Sequence, residues 1–282
     1  MDSSLEFLNQ QALLGAEWVQ FKEDLLQITK HIILINQNLV PATDSKNLIR
    51  RLQFLCYELR SQINDWDSPE SKLETLNDFF FFQKNFYSIE DDADHEVSYK
   101  SSFLDWVLTK RSGSPVTITL IYNHLAKHIG LPLYFVDLDP KCFLKFSGGM
   151  NTLFIDLSRR GKSLSATELI ENMRTRLQND KISSSKICEN ISPLQFLVNY
   201  LYGLRRFLAA QSQLKELLIV QNSLLDLLPQ NLQLLGERAV LYYKLNLPKS
   251  SVSDLKRYFS FQTRDRAPQE LVRIYDEIIG HV

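Results

Sequence analysis

The sequence predicts an α+β protein in which one helix packs beside a small antiparallel sheet, with helical segments before and after it. Three observations predict this fold class. Apolar residues recur at helical spacing before residue 64 and again after residue 193. Residues 133–157 change to short apolar runs with a turn signal, which is typical of strands. The stretch 110–132 lies between these patterns and marks both ends of one helix.

The N-terminal part predicts helices interrupted by loops. A helical apolar pattern runs from about residue 13 to residue 64, and Pro41 with the polar residues that follow it divides the pattern in two. Residues 73–86 again have a helical pattern and include four consecutive phenylalanines. The N-terminal part is therefore predicted to be helical.

The helix of the central stretch is predicted to begin at Ser114 and Pro115. A serine hydroxyl can accept a hydrogen bond from an unpaired amide of the first turn, and proline there loses no hydrogen bond. The helix runs to about Ile129, where Gly130 ends it. Its start is therefore well defined by local chemistry.

Strands are predicted after this helix. The runs Leu133–Val136 and Cys142–Phe146 have strand composition, Gly148-Gly149 is a hairpin signal, and Asn151–Leu157 is the returning strand. Together they predict a small antiparallel sheet beside the helix.

The C-terminal part predicts five consecutive helices after about residue 193, which form a tetratricopeptide-like array of helical pairs. A mostly polar run, Asn179–Asn190, precedes them and is the expected boundary. We therefore expect a helical N-terminal region at residues 1–72, a core at 73–180 and helical repeats at 191–282.

The composition excludes several classes of function. Lys+Arg 32 against Asp+Glu 33 gives a formal charge of -1, so we expect no binding to nucleic acid. No apolar run reaches the roughly 20 residues that a membrane helix needs, and no secretory signal is recognisable, so we expect no membrane association. Three distant cysteines predict no disulfide framework and a cytoplasmic location. No cofactor is expected.

Four stretches carry a resemblance to a known family. They read LNDFFFFQKNF, SSFLDWVLTKRSGSPVTITLIYNHLAKHIGLPL, DPKCFLKF and FIDLSRRGKSLS. The chain resembles the bacterial transglutaminase-like proteins with C-terminal tetratricopeptide repeats, some of which are labelled putative regulators of invasion genes. The resemblance covers roughly residues 73–165, and it implies a papain-like core.

The resemblance also implies where a catalytic triad would lie. In members that keep the triad, a cysteine at a helix start is the nucleophile, a histidine on a strand is the base, and an aspartate orients the histidine. In this chain these positions hold Pro115, Cys142 and Asp156. Proline has no nucleophilic group, and cysteine does not replace imidazole as a base near neutral pH. We therefore expect no catalysis by this route.

Other chemistries were weighed on the same residues. Ser114 could act as a nucleophile, although an N-cap oxygen is already engaged. Cys142 could serve a thiol-dependent hydrolase or acyltransferase, with His124 or His128 as the base. The two histidines are four residues apart on one helix and could share a metal ion, but no third ligand is recognisable in the sequence, so no metal site is expected.

The remaining hypothesis is a catalytically inactive protein that acts as a protein-interaction or regulatory module. Stacked helical pairs form grooves that receive a protein or peptide partner. Aromatic residues and arginine are enriched at binding hot spots. The candidate binding residues are accordingly Tyr202, Arg206 and Tyr243, and Ser114 at the start of the central helix is a further candidate.

Overall fold

The computed structural model describes most of the chain in two compact units, residues 24–197 and residues 198–280. The described ranges are 24–89, 99–138, 141–148, 152–177 and 189–280. Predictions for residues 13–23, for the turn at Gly149 and for most of the polar run 179–190 lie outside these ranges. The first unit includes the helices predicted for the N-terminal region as well as the predicted sheet.

Two capped helices open the first unit. Helix α1 (Leu25–Leu39) begins after Asp24, whose carboxylate accepts from the amide of Leu26, and α2 (Ser45–Arg60) begins after Asp44 in the same way. Such caps satisfy amides that the first helical turn leaves unpaired. The predicted interruption at Pro41 is confirmed.

An aromatic cluster follows these helices. Helix α3 (Pro69–Asn77) continues into a π-helical turn, Asp78–Gln83, that carries the phenylalanine run. Phe80 stacks on Phe86 at 4.5 Å between ring centroids, and it meets the Tyr122 ring edge-on at 5.2 Å. These rings form much of the core around the central helix.

A short parallel pairing leads into the central helix. Strand β1 (Tyr87–Ser88) pairs with β2 (Ser112–Gly113), and α4 (Leu104–Lys110) lies between them in sequence. Helix α5 (Pro115–His128) follows, and every residue from 117 to 126 is buried. This confirms the predicted helix, which Gly130 ends at a φ of 69°.

The predicted sheet is also confirmed, with one further strand. Strands β3 (Leu133–Leu138), β4 (Lys141–Phe146), β5 (Leu153–Asp156) and β6 (Lys162–Leu164) pair in that order, all antiparallel. Helix α5 packs against β3 and β4.

Helix α6 (Ala166–Leu177), which the sequence analysis does not predict, packs against β5 and β6. Its Leu169 and Met173 share one buried apolar cluster with Phe143, Phe154 and other sheet residues. The sheet is therefore packed against helices from two parts of the chain.

The described residues of the second unit form helices and the loops that connect them. The helices are α7 (Pro193–Ala210, which begins in the first unit), α8 (Leu214–Leu227), α9 (Leu232–Lys244), α10 (Pro248–Phe261) and α11 (Gln269–Gly280). The five predicted helices are confirmed, and their assignment to tetratricopeptide repeats stays a prediction. In the described ranges, no helix combines the length and apolar character needed to span a membrane.

Candidate functional site

The start of α5 has no nucleophilic group available. Pro115 occupies the first helical turn, and the Ser114 hydroxyl accepts from the amide of Thr117 at 3.3 Å. The Thr117 hydroxyl donates to the carbonyl of Ser102 at 3.1 Å, so the Ser114 hydroxyl is the donor in their 2.9 Å contact. The Ser114 hydroxyl is thus engaged as both donor and acceptor.

The close packing before this helix fixes its first residue. The amide of Ser114 donates to the carbonyl of Ser101 at 2.9 Å. A Cβ atom on Gly113 would lie 2.6 Å from a methyl group of Val107, so only glycine fits without displacement. Position 115 is therefore held tightly, as a site would require, but it presents a pyrrolidine ring.

The position that the resemblance implies for the base lies on β4. Cys142 is paired in register with Asp137 of β3, and the side chains of both lie outside the part of the chain that the structure describes. The register places position 142 within the sheet, and the orientation of its thiol stays a prediction.

Asp156, the position that the resemblance implies for the orienting acid, is the last residue of β5 and is 6% exposed. One carboxylate oxygen accepts from the amide of Ser158 at 3.0 Å and from its hydroxyl at 2.6 Å. The other lies 3.7 Å from Nε of Arg159. Asp156 therefore caps the turn that follows its own strand.

A pocket of about 250 Å³ adjoins Asp156. Its walls come from the sheet, from the turn after β5 and from α6, and include Phe143, Leu164 and Met173. None of its described lining residues belongs to α5. The pocket beside Asp156 is thus formed without the helix that would carry the nucleophile.

A second cleft, of about 410 Å³, is rich in arginine and will be called the arginine cleft. It is lined by Arg50, Arg51, Phe54, Leu55, Glu58, Lys84, Leu108 and Arg111. Arg51 pairs with Asp105 at 3.3 Å, and Lys84 pairs with Glu58 at 2.6 Å. Across the described ranges, neither Arg50 nor Arg111 takes part in an ion pair.

Arg111 is the most constrained cation of the arginine cleft. It ends α4 in the left-handed conformation, with φ at 60°, and its guanidinium lies 4.7 Å from the centroid of the Phe86 ring. Burial, with the charge of Arg51 as a smaller cause, lowers the pKa of Arg111. The cleft thus holds more positive charge than its own carboxylates neutralise.

A third group of side chains brings potential metal ligands together. Cys56 of α2 lies beside His124 and His128 of α5, and their ligand atoms are all within 4.8 Å of one another. No metal site is predicted from the sequence, because the two histidines have no recognisable third ligand there. Cys56, on a different helix, supplies that ligand atom.

Burial is the main cause of the pKa shifts of Cys56, His124 and His128. It raises the pKa of the Cys56 thiol to about 12. Burial, with a smaller contribution from the charge of His128, lowers the pKa of His124 to about 4, and the charge of Asp24 opposes this shift. Burial also lowers the pKa of His128. All three side chains are therefore uncharged at neutral pH in the absence of a cation.

The candidate binding residues of the second unit lie on two helices. On α7, Tyr202 is partly exposed and Arg206 is exposed. On α9, the hydroxyl of Tyr243 donates to a carboxylate oxygen of Glu277 at 2.6 Å. Tyr243 thus joins α9 to α11, whereas Tyr202 and Arg206 are accessible.

Buried polar networks hold the helices of this unit together. The side chain of Gln221 on α8 donates to the carbonyl of Leu234 at 2.7 Å and accepts from Nε of Arg205 at 3.0 Å. Arg205 also pairs with Glu237 on α9. Three successive helices are therefore tied by side chains that solvent reaches poorly.

Comparison with known proteins identifies relatives of this chain. A sequence profile of the transglutaminase-like superfamily matches residues 46–202. A UPF0162 protein of Xylella fastidiosa (strain Temecula1 / ATCC 700964) is 24% identical over 239 residues, which is 84% of each chain. A UPF0162 protein of Pseudomonas aeruginosa (strain PAO1) is 23% identical over 219 residues, covering 77% of this chain and 78% of that one.

A solved structure of menin is similar at a TM-score of 0.36 and 10% identity, over 81% of this chain and 64% of that one. At this level of similarity it carries no argument about fold or function.

Proposed function

We propose that the chain, which belongs to the transglutaminase-like superfamily, has Pro115 at the nucleophile position and is therefore a catalytically inactive member that binds a protein or peptide partner. The partner carries an acidic segment. It engages the arginine cleft of the first unit, and the exposed face of α7 in the second unit is a separate candidate surface.

The observation that carries this proposal is Pro115 at the start of α5. In triad enzymes the free amides and the dipole of a helix start favour a cysteine thiolate. Pro115 has neither a thiol nor an amide hydrogen, and both hydrogen-bonding functions of the Ser114 hydroxyl are engaged locally. The scaffold retains the helix start without the reactive group.

The surroundings of Asp156 support the same conclusion. An orienting aspartate must direct its carboxylate at the catalytic base. The carboxylate of Asp156 instead accepts two hydrogen bonds from Ser158, the second residue after it, and lies near Arg159. Its hydrogen bonds stabilise a turn, which is a structural role.

The arginine cleft favours an acidic ligand. Arg50 and Arg111 line it without an ion-pair partner among the described residues, and carboxylates are the groups that guanidinium binds in a two-pronged geometry. Phe54 beside them is 61% exposed and adds an apolar surface for the ligand. This combination of arginine and aromatic residues is typical of binding hot spots.

The exposed face of α7 is the second proposed surface. Tyr202 and Arg206 are four residues apart, so they lie on the same side of the helix. The hydroxyl of Tyr243 is hydrogen-bonded to Glu277, and the hydroxyl of Ser114 caps α5. Their contributions to partner binding stay predictions, and we expect them to affect the affinity less.

The test uses a fluorescein-labelled hexaglutamate peptide and fluorescence anisotropy with the full chain. We expect saturable binding that the double variant Arg50→Gln/Arg111→Asn weakens at least about tenfold. Hydrogen bonds to charged groups contribute about 1.5–3 kcal/mol each, and about 1.4 kcal/mol is a factor of ten. Asparagine is chosen at position 111 because it tolerates a left-handed backbone.

The matched control removes two cations elsewhere in the first unit, in Lys72→Gln/Arg174→Gln, and should leave the affinity unchanged. Arg206→Gln in the same assay measures the contribution of α7. Mass spectrometry of the peptide after incubation should show it intact. Equal weakening by control and cleft variants, or conversion of the peptide by the protein, would contradict the proposal.

A further inference from the structure

Three side chains on two helices form the arrangement with the clearest unassigned chemistry. His124 and His128 are one turn apart on α5, so their rings lie on the same face, 5.0 Å apart between centroids. Cys56 approaches them from α2, and the three ligand atoms are within 4.8 Å of one another.

One sulfur and two imidazole nitrogens are a donor set that suits Zn²⁺. Zinc lies about 2.3 Å from thiolate sulfur and about 2.0–2.1 Å from imidazole nitrogen, so tetrahedral geometry separates the ligand atoms by about 3.5 Å. The present separations, of up to 4.8 Å, would need to contract by at most about 1.3 Å.

The hydrogen bonds of Thr29 prepare His124 for such a role. The Thr29 hydroxyl donates to the carbonyl of Leu25 at 2.9 Å, so it accepts in its 3.2 Å contact with Nδ1 of His124. Nδ1 therefore carries the ring proton, and Nε2 presents its lone pair. Histidine ligands of zinc are oriented in the same way, by donating the other ring N–H to an acceptor.

The burial of the cluster also suits a metal site. Cys56 and His124 are 6% and 8% exposed, whereas His128 is exposed and provides a path for entry. Three protein ligands leave one position of a tetrahedron for water.

We propose that Cys56, His124 and His128 bind one Zn²⁺ ion, with Thr29 as a positioning residue for His124. The ion takes its fourth ligand from water and joins α2 to α5. Binding releases the Cys56 proton to solvent as the Zn–S bond forms. This site is independent of the proposed partner binding.

The test uses Co²⁺ as a spectroscopic substitute for zinc, added to the full-length, reduced, metal-free protein. We expect visible ligand-field bands of tetrahedral intensity and a sulfur-to-cobalt charge-transfer band in the near ultraviolet. Both should saturate at one ion per chain and disappear when Zn²⁺ is added. A wild-type protein without these bands would overturn the proposal.

Variants identify the ligands. Cys56→Ser should remove the charge-transfer band. His128→Ala should lower the Co²⁺ affinity more than about a hundredfold, because removing a metal ligand has a larger effect than the 10–100-fold loss caused by removing a residue that hydrogen-bonds to a ligand. His128 is exposed, so this variant should keep the fold, as thermal unfolding of the metal-free protein will verify. The neighbouring Lys127→Ala is its matched control and should bind like the wild type.

Two further variants separate this site from its alternatives. Thr29→Val should weaken Co²⁺ binding about 10–100-fold while keeping the charge-transfer band, as expected of a positioning residue. Cys142→Ser should leave both the affinity and the spectrum unchanged. Loss of the band in Cys142→Ser, or wild-type affinity in His128→Ala, would show that the ion binds elsewhere and would overturn the assignment.

Discussion

We expect Asp254→Ala to lower the free energy of unfolding of the second unit by about 3–5 kcal/mol. The two carboxylate oxygens of Asp254 accept from Nε and Nη2 of Arg238 at 2.7 Å and 2.8 Å. The side chains are 9% and 17% exposed, respectively. Removing the carboxylate leaves a buried guanidinium without its counter-charge, which costs more than the loss of a surface ion pair.

The expected value lies near the lower end of this range. Arg238 keeps one hydrogen bond, from Nη1 to Asn222 at 3.0 Å, and its guanidinium still lies 5.6 Å from the centroid of the Tyr242 ring. These contacts compensate part of the loss, so we expect about 3 kcal/mol. Replacing both partners, in Arg238→Met/Asp254→Leu, should restore most of the stability because neither member of the buried pair is left without the other.

Urea unfolding followed by far-ultraviolet circular dichroism measures the effect. The matched control is Asp276→Ala in the same unit, which breaks the 3.0 Å pair with Arg264, whose side chains are 55% and 52% exposed, respectively. Such exposed pairs contribute about 0–1 kcal/mol. Equal losses in Asp254→Ala and Asp276→Ala, or a double variant as unstable as Asp254→Ala, would refute the reasoning.

Three further predictions concern stability. Gly161→Ala should destabilise the first unit by about 1–3 kcal/mol, because φ at this position is 76° and the added Cβ would lie 2.0 Å from a side-chain oxygen of Asn77. Thermal unfolding measures this loss, and an unchanged unfolding temperature would contradict the prediction. Ser114→Ala removes the cap of α5 and should cost about 1 kcal/mol in urea unfolding, and no loss would contradict the capping role. Although Asp226 is exposed at the surface, desolvation by the neighbouring chain raises the pKa of its carboxyl to about 6, against the opposing charge of Arg238. Its stabilising contribution is therefore complete below pH 3.8 and is lost as pH rises through 6. The Asp226→Asn variant should therefore be slightly more stable than the wild type at pH 7.5. The gain should be less than about 1 kcal/mol, because the residue is exposed and water screens its charge. A wild type that is more stable than the variant at this pH would contradict the prediction.

Local chemistry explains why part of the fold is predictable. Ser114, Pro115 and Gly130 act within one turn of the helix ends they define, so α5 follows from its own sequence. The strands β3 to β5 and the C-terminal helices likewise have local periodicity and turn signals. Helix α6 also has an amphipathic pattern and a capping Ser165 with Glu168 three residues later, a signal that the sequence analysis overlooks.

The candidate sites depend on contacts that no local pattern contains. Cys56 and His124 are far apart in sequence and meet only because α2 packs beside α5. Arg111 lines the arginine cleft because it ends α4 in the left-handed conformation. The pocket at Asp156 likewise requires α6 to cover the sheet. The triad positions are what the resemblance implies, and the hydrogen bonds of Asp156 could be assigned only from the folded chain.

Whether this superfamily member is catalytically inactive is tested most directly by the rate at which iodoacetamide alkylates Cys142 at neutral pH, followed by peptide mass spectrometry. The reference is a free cysteine peptide under the same conditions. An unactivated thiol has a pKa near 8.5 and is only a few per cent thiolate at pH 7. We predict that Cys142 reacts no faster than the reference. Alkylation of Cys142 about tenfold faster than the free peptide would reveal an activated thiolate and contradict catalytic inactivity.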